Sequence, residues 1–208
     1  PQDRSIGTLH ATTRTMLNSA GSVRVADMVD ISTVVEASHI FASEMNLKHL
    51  LKKIMHIAIS NAGAEHGLLV LDDDGRLMAE VYASAHGDDF ADLDSLPLRD
   101  ACSGARALPV SAAVINYVLR SSQHVVLDDA GADSRFQQDP DIARRKPKSV
   151  LCLPLMHQGK LSGILYLENN LTTSAFTAER VEVLRLLSAQ MAVSIENALL
   201  YRNLERKV

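Results

Sequence analysis

Two short apolar segments separated by a polar turn, within Ser149–Asn170, constrain the fold of this 208-residue chain more than any other feature. Val150–Leu155 and Leu161–Leu167 are rich in Val, Ile, Leu and Tyr, which is typical of strands. Consecutive apolar residues in each segment favour strands that are covered on both faces. Gly159 supplies the turn, because Gly adopts the positive φ of a tight hairpin. The stretch therefore predicts a buried β-hairpin at the centre of a sheet. Gly163 inside it indicates a close approach by other backbone or a ligand.

Composition and charge exclude several classes of protein. The hydrophobic fraction of 47% and the charged fraction of 22% are normal for a soluble globular protein. A formal net charge of -4 gives no electrostatic basis for binding nucleic acid. No apolar run approaches the roughly 20 residues of a membrane span. Cys102 and Cys152 form no C-x-x-C pair, which suits a reducing cytosol. We therefore expect a cytoplasmic protein without membrane insertion. Because the chain begins at Pro1, we expect it to be part of a longer protein or a processed product.

The first half of the chain predicts helices followed by a hairpin. Residues 1–27 have little periodicity and are expected to form a linker or an incoming helical connector. From Met28 a helix is expected, capped by Asp27 or Asp30, with Val29, Ile31, Val34, Val35, Ile40 and Phe41 facing a partner surface. Asn46 is the expected N-cap of a second helix, and Gly63 its left-handed terminator. Strands are expected at Gly67–Leu71 and Arg76–Ala85. The aspartates before Gly75 predict a turn rather than a calcium loop, because they are consecutive.

Two long connections follow this hairpin. His86–Leu108 is polar and rich in small residues, and a loop of that length is usually functional, so we expect a lid over a site. A short helix should open at Pro109 or Ser111, with Val114, Tyr117 and Val118 pointing inward. His124–Leu127 predicts a strand. In the second connection, Asp128–Pro147, Asp139-Pro140 has the pattern of a helix start, because Pro fits the first helical position.

The C-terminal segment, Thr177–Lys207, predicts a helix of about 28 residues, which is long for a globular domain. One stripe recurs at spacings of three and four, as in a heptad pattern; it comprises Val181, Leu184, Ser188, Met191, Ile195 and Ala198. A second apolar surface comprises Leu187, Leu199, Leu200 and Leu204. One face suffices to pack on the chain's own sheet, so two faces favour a partner helix and a homodimer. The stripe is the expected dimer and signalling surface.

This order of elements predicts an α+β fold, an antiparallel sheet with helices packed on it. Five segments in order resemble a GAF domain: Ala37–Met55, Asn61–Leu71, Val125–Ala130, Ser149–Asn170 and Phe176–Leu184. The resemblance covers about Met28 to Tyr201, so the expected GAF domain is 28–201, followed by an outgoing signalling helix at 202–208. It points to GAF domains of large bacterial multidomain signalling proteins, in which a kinase-like or ATPase region precedes the domain and a histidine kinase follows it.

The resemblance implies a non-catalytic sensory module that binds a small molecule between its sheet and the covering helices and loops, and relays its state through terminal helices to a histidine kinase. The ligand and any cofactor stay unknown. Cyclic-nucleotide-binding members carry an Asn-Lys pair, then a Phe, and then an Asp-Glu pair three residues later. In this chain Asn170 stands where the Lys is expected, and Phe176 is followed by T-A-E and then by Arg180-Val181. The Lys and the Asp-Glu pair are therefore missing. Cys102 lacks the neighbouring His of bilin attachment. Haem ligation by one of the eight histidines stays an open alternative.

Two other functions remain open at this point. Free methionine sulfoxide reductases share the GAF fold and use pocket cysteines, so Cys152 allows a redox enzyme or sensor, although a buried Cys is more often a small core residue. The domain can also be a dimerisation spacer that binds nothing. No signature of a serine hydrolase, zinc protease, P-loop or kinase is present, and no metal site is expected. The candidate ligand-binding residues are Asp128, Asp129, Arg135, Phe136, Cys152 and Tyr166.

Overall fold

A computed structural model of the chain describes residues 31–85, 90–103 and 107–205. The expected connector at 1–27 and the helix cap at Asp27 or Asp30 lie outside the described residues. The chain divides into two compact units, Pro1–Glu36 and Ala37–Val208. The described part of the first is helical, within helix α1, Ile31–Ala42.

The second unit contains a six-stranded antiparallel sheet with the order β3-β2-β1-β6-β5-β4. The strands are β1 His66–Asp73, β2 Arg76–Ser84, β3 Phe90–Pro97, β4 Val125–Leu127, β5 Ser149–His157 and β6 Lys160–Asn169. The helices are α2 Leu47–Ala62, α3 Leu98–Cys102, α4 Ala112–Ser121, α5 Pro140–Arg145 and α6 Ala178–Glu205. This is the predicted α+β class.

Helices cover both faces of the sheet. On one face, here called the helix face, α2 and α6 pack on each other and on the central strands. On the opposite face, here called the pocket face, α3, α4 and α5 cover a core that includes Val70, Tyr166 and Cys152. A sheet covered on both faces explains the continuous apolar runs in its central strands.

The predicted central hairpin is confirmed. β5 and β6 pair antiparallel, with Cys152 opposite Tyr166. The turn residues Gln158 and Gly159 both have positive φ, 50° and 78°. Gly163 also has the predicted close neighbour, because a Cβ at this position would lie 2.4 Å from the carbonyl oxygen of Val70. β1 and β6 can therefore pair closely only with Gly at this position.

Local capping signals are confirmed as well. Asn46 Oδ1 accepts a hydrogen bond from the His49 amide at 3.1 Å, and Gly63 ends α2 at φ 67°. Ser111 caps α4, and Asp139 caps α5 with Pro140 as the first helical residue. Each cap satisfies amide or carbonyl groups that the helix itself leaves unpaired.

The prediction of one long loop over His86–Leu108 is wrong. Its described part contains β3 and α3. β3 is an edge strand that pairs only with β2, so it needs no continuous apolar run. Asp94 and Ser95 have positive φ, 48° and 57°, and interrupt its regularity. The sequence pattern of a strand is therefore weak here.

The predicted inward face of α4 needs one correction. Val114 and Val118 are buried as expected, but the third inward residue is Ile115, whereas Tyr117 is 39% exposed. Tyr117 instead lies edge-on against Phe136, with ring centroids 5.8 Å apart. The buried residues follow positions i, i+1 and i+4, whereas the expected residues follow i, i+3 and i+4. The helix is therefore rotated about its axis relative to the expected orientation, so that Ile115 rather than Tyr117 faces the sheet.

Among the described helices, α6 has the length and composition of a membrane span. Half of its apolar window is buried within the fold, against α2 and the sheet. Intramolecular packing on the helix face therefore accounts for the buried half of this window.

Candidate ligand site on the pocket face

Three of the six predicted ligand-binding residues meet on the pocket face. Phe136, Cys152 and Tyr166 lie in one buried cluster, with 5%, 0% and 1% of their surface exposed. Cys152 and Tyr166 are opposite each other on β5 and β6, while Phe136 reaches the cluster from the connection that follows β4. The strands thus form the floor of the site, and the connection 128–147 forms part of its cover.

The other three predicted residues lie outside this cluster. Asp128 and Asp129 are exposed, and Asp129 Oδ1 accepts a hydrogen bond from the Gly131 amide at 3.2 Å, as in an Asx turn. Arg135 pairs with Asp133 through Nε and Nη2, at 3.0 and 2.9 Å. Its guanidinium also lies 5.4 Å from the centroid of the Phe136 ring. Ligand binding by all six residues stays a prediction.

A buried carboxylate that the sequence analysis missed lies beside Tyr166. Glu168 follows two residues later on β6 and therefore shares the pocket face; none of its surface is exposed. Arg145 at the end of α5 donates from Nη1 and Nη2 to its two oxygens, the second bond being 3.1 Å long. Tyr166 donates its hydroxyl proton to Oε2 at 2.7 Å. The His66 ring lies on the next strand, with Nε2 3.6 Å from Oε1.

These four residues, Glu168, Arg145, Tyr166 and His66, form what we call the Glu168 network. It connects the sheet to two covering helices. The Ser111 amide at the start of α4 donates to the Tyr166 hydroxyl at 3.2 Å, and α5 contributes Arg145. A signal for the network existed, because a Glu inside an otherwise apolar strand requires a partner cation.

Burial and charge shift the pKa values in the Glu168 network. Burial alone raises the pKa of Glu168, but its interactions with His66 and Arg145 outweigh burial and hold that pKa below the ordinary value. The pKa of Tyr166 is raised well above its ordinary value by burial and by the Glu168 charge. The same two causes raise the pKa of Tyr82 to about 12. At neutral pH the network is therefore a carboxylate facing a guanidinium, with neutral tyrosines beside it.

Arg145 is held less completely than Glu168. Its side chain is 17% exposed, and Nη2 also lies 3.3 Å from Asp141 of the same helix. Its Nε is buried and has no hydrogen-bond partner among the described residues. The carboxylate is thus fully enclosed, whereas the cation that neutralises it lies at the edge of the site.

A cavity of about 520 Å³ opens at the other end of the pocket face. It lies between the β2–β3 edge and the helices α3 and α4. Its lining is mainly apolar and comprises Leu77, Pro97, Leu98, Arg99, Cys102, Ser103, Ala112, Ile115 and Asn116. A volume in this range suits a small organic molecule.

Neither cysteine has the environment of a reactive thiol. Burial raises the pKa of the Cys152 thiol far above its ordinary value. Burial, with the charges of Asp141 and Asp139, raises the pKa of Cys102 to about 11. Because the thiolate is the reactive form, these raised pKa values disfavour reaction of both side chains in this conformation.

No group of three or more His, Cys, Asp or Glu side chains that suits a metal ion occurs within residues 31–85, 90–103 and 107–205. Of the consecutive aspartates, Asp72 and Asp73 end β1 and Asp74 begins the turn, in which Asp72 Oδ1 accepts from the Gly75 amide at 2.7 Å.

The predicted signalling stripe of α6 is buried within its own chain. Its six residues, Val181, Leu184, Ser188, Met191, Ile195 and Ala198, are at most 9% exposed. The helix contacts α2, β5 and β6. The large apolar residues that α6 leaves exposed are Leu186, Leu200, Tyr201 and Leu204. The heptad pattern therefore marks the intramolecular face.

The hairpin also bonds directly to α6. Ser162 of β6 donates to Glu196 Oε1 at 2.8 Å, and His157 Nδ1 contacts the other oxygen of that carboxylate. Burial raises the pKa of Glu196, but the bonds from Ser162 and His157 outweigh it and hold that pKa below the ordinary value. The strands that carry Cys152 and Tyr166 on the pocket face thus hold α6 on the other.

Similar proteins of known class are histidine kinases. The chain is 46% identical over 88 residues to hybrid signal transduction histidine kinase G of Dictyostelium discoideum, covering 42% of this chain and 3% of that protein. It is 24% identical over 181 residues to the peroxide stress-activated histidine kinase mak3 of Schizosaccharomyces pombe, covering 86% of this chain and 7% of the kinase. The chain thus spans a small part of these relatives. Both are eukaryotic, whereas the sequence resemblance pointed to bacterial proteins.

Solved structures share the fold at low sequence identity. The GAF domain of an Acinetobacter phosphoenolpyruvate-protein phosphotransferase matches with a TM-score of 0.59 at 18% identity, covering 82% of this chain and 94% of that one. The GAF domain of a putative sensor histidine kinase from Pseudomonas syringae pv. tomato matches with a TM-score of 0.57 at 18% identity, covering 91% of this chain and 99% of that one. Free methionine-R-sulfoxide reductase from Neisseria meningitidis matches with a TM-score of 0.57 at 14% identity, covering 81% of this chain and 89% of that one.

The sheet order, the helices on both faces and these structural matches agree with the family model. That model, described as GAF domain, matches residues 46–195, which is more than half of the chain. The chain belongs to the GAF domain family.

Proposed function

We propose that this chain is a regulatory GAF module of a larger cytoplasmic histidine kinase. It binds a small molecule on the pocket face and passes its state through α6 to the kinase. The kinase relatives and their much greater length support the assignment to a larger protein. The module itself performs no catalysis, makes no contact with nucleic acid and does not enter a membrane. Its boundaries are 28–201, with the outgoing helix at 202–208.

One observation carries this proposal: a single hairpin holds both the floor of the pocket face and the output helix. Cys152 and Tyr166 lie in the core on one face, while His157 and Ser162 hold Glu196 of α6 on the other. A ligand that moves β5 or β6 thereby changes the position of α6. It can do so only if its affinity differs between the two helix positions.

One entry to the pocket face lies beside α3 and α4, at the cavity of about 520 Å³. The described β3 and α3 replace part of the lid expected in His86–Leu108, and the connection 128–147 provides the remaining cover. The redox alternative loses support, because burial raises the pKa of both thiols. Homodimer contacts of α6 are assigned to the exposed Leu200 and Leu204 rather than to the buried heptad stripe.

A spacer that binds nothing is the second candidate, and one observation favours it. Phe136, Cys152 and Tyr166 already fill the middle of the pocket face as core residues. A ligand must therefore use the side cavity or displace part of the cover.

Mass spectrometry of small molecules that co-purify with the folded protein tests the proposal. Each candidate is then titrated against the protein, with thermal stability and the inter-subunit distance between spin labels at Asn197 as readouts. We expect a ligand that raises Tm and changes the distance. A protein with no co-purifying molecule, no Tm response to a metabolite library and an invariant distance is a spacer, and the sensory proposal is then wrong.

A further inference from the structure

We propose that Glu168 is the recognition group for a small cationic ligand of guanidine or amine type, and that Arg145 of α5 is the chain's own stand-in for that ligand. The inference rests on the proposed ligand-binding function and names the chemical class of its ligand. It concerns the Glu168 network, at the opposite end of the pocket face from the side cavity.

Glu168 carries a buried negative charge. Its carboxylate is fully enclosed and accepts hydrogen bonds from Arg145 and from Tyr166. A buried charge that loses its partner destabilises the protein strongly, because water cannot reach the charge to replace the lost interaction. Arg145 can therefore leave this carboxylate only when another cation takes its place. Neutral and anionic molecules do not meet that requirement.

The surroundings of this charge include aromatic rings. The Tyr166 hydroxyl lies 2.7 Å from one carboxylate oxygen, and the rings of His66 and Tyr82 stack next to it with centroids 6.3 Å apart. Aromatic rings beside a carboxylate favour ammonium and guanidinium groups, which interact with the ring faces and with both oxygens. Planar guanidinium fits best, because Arg145 already shows that two donors reach the two oxygens.

Arg145 can also be displaced. It belongs to a helix of six residues, and this helix contributes one buried side chain, Ile142, to the core. The Arg145 Nε is buried without a hydrogen-bond partner among the described residues, so Arg145 is itself incompletely hydrogen-bonded in this position. On release, Arg145 keeps Asp141 as a partner on its own helix. A ligand thus competes with Arg145 of this short helix for Glu168. The apparent affinity of the ligand is the intrinsic affinity multiplied by the fraction of protein in which Arg145 has left Glu168.

Methylguanidine is the probe, and methylurea is its uncharged isostere. Binding is measured by NMR titration, and hydrogen exchange of the α5 amides reports displacement of the cover. We expect wild type to bind methylguanidine and not methylurea, with faster exchange in Pro140–Arg145. Arg145→Ala should bind methylguanidine at least about a hundredfold more tightly, since the competing side chain is gone. Arg144→Ala, on the same helix but bonded only to Asp141, should bind like wild type, and Glu168→Gln should not bind.

Three results overturn the inference. The first is equal binding of methylguanidine to Arg145→Ala and to wild type, which shows that Arg145 and the probe do not compete for Glu168. The second is equal binding of methylurea, which makes the effect one of cavity filling. The third is equal binding to wild type and Glu168→Gln. If Arg145→Ala does not fold, the wild-type and Glu168→Gln titrations still decide. A co-purified neutral ligand that stabilises both of these proteins equally would leave the proposed function intact while removing this inference.

Discussion

The two faces of the sheet are built on different principles. The helix face is an apolar contact between α6, α2 and the strands, in which Leu184, Met191 and Ile195 are fully buried. The pocket face combines an apolar core with an enclosed carboxylate, an arginine and a tyrosine hydroxyl. Apolar packing stabilises without directional requirements, whereas a buried ion pair costs desolvation and specifies one arrangement of its partners. Both faces therefore contribute apolar packing, and the pocket face adds a buried ion pair that holds its cover in one position.

The largest expected effect comes from breaking the ion pair. Arg145→Ala leaves Glu168 buried without its cation and should lower the free energy of unfolding by about 3–5 kcal/mol. The control is Arg144→Ala, whose side chain is 73% exposed and should change stability by about 0.5 kcal/mol or less. Urea denaturation of both variants measures the difference. Equal stability of the two variants would show that the pocket face does not depend on the buried pair.

Truncation on the helix face should come next. Leu184→Ala removes a fully buried side chain of α6 and should cost about 3 kcal/mol, through lost burial and the cavity left behind. Leu186→Ala, two residues along the same helix but 47% exposed, should cost less than about 1 kcal/mol. The same denaturation experiment applies. A similar cost for both would indicate that α6 does not pack as described.

Removing one hydroxyl tests the link between β6, α4 and α5. Tyr166→Phe loses the bonds to Glu168 and from the Ser111 amide and should cost about 1–2 kcal/mol. Tyr201→Phe, at a half-exposed position on α6, serves as the matched control and should be close to neutral. Hydrogen exchange at the start of α4 should also increase in Tyr166→Phe alone.

The stability of the pocket face should depend on acid pH. The pKa of Glu168 is lower in the folded protein than its ordinary value of 4.5. Its contribution is therefore complete above the ordinary pKa and is lost as the pH falls through the folded value. Wild type should lose more stability than Glu168→Gln on acidification below about pH 4.5, measured by urea denaturation at a series of pH values. Parallel curves for the two proteins contradict this assignment.

The smallest effect is expected where the hairpin meets α6. Glu196→Gln removes a charged acceptor whose side chain is 30% exposed, so solvent screening limits the loss to about 1 kcal/mol. The coupling needs a variant without an acceptor, because Gln keeps a carbonyl oxygen that can accept from Ser162: Ser162→Ala and Glu196→Ala together should cost less than the sum of their separate effects. Additive effects would mean that the hydrogen bond between these two residues does not contribute.

Elements with strong local signals were predicted correctly. Asn46, Gly63 and Asp139 have the predicted cap roles, and the turn at Gly159 joins the predicted strands. These features depend on neighbours within a few residues, so the local sequence contains the necessary information. β3 was missed because an edge strand needs no apolar run. The exposure of Tyr117 was missed because the orientation of α4 depends on the sheet beneath it.

The candidate site was predicted less completely than the fold. Of the six proposed residues, Phe136, Cys152 and Tyr166 reach the pocket face, while Arg135 lies outside that cluster in a pair with Asp133. Glu168 was overlooked, although its position in an apolar strand was a usable signal. Its partner Arg145 is 23 residues away in sequence, and spacing alone does not identify such a pair.

By itself, the sequence determined the central hairpin, the helix caps, the α+β class and the resemblance to GAF domains, because periodicity and turn chemistry act over short distances. The tertiary structure decided which apolar surfaces were already occupied. The heptad stripe of α6 packs within the chain rather than facing outward, and only Leu186, Leu200, Tyr201 and Leu204 remain as its large exposed apolar residues. Tertiary structure also brought Arg145 of α5 to Glu168 of β6. Such contacts join distant segments through the packing of whole elements, and no local pattern encodes them.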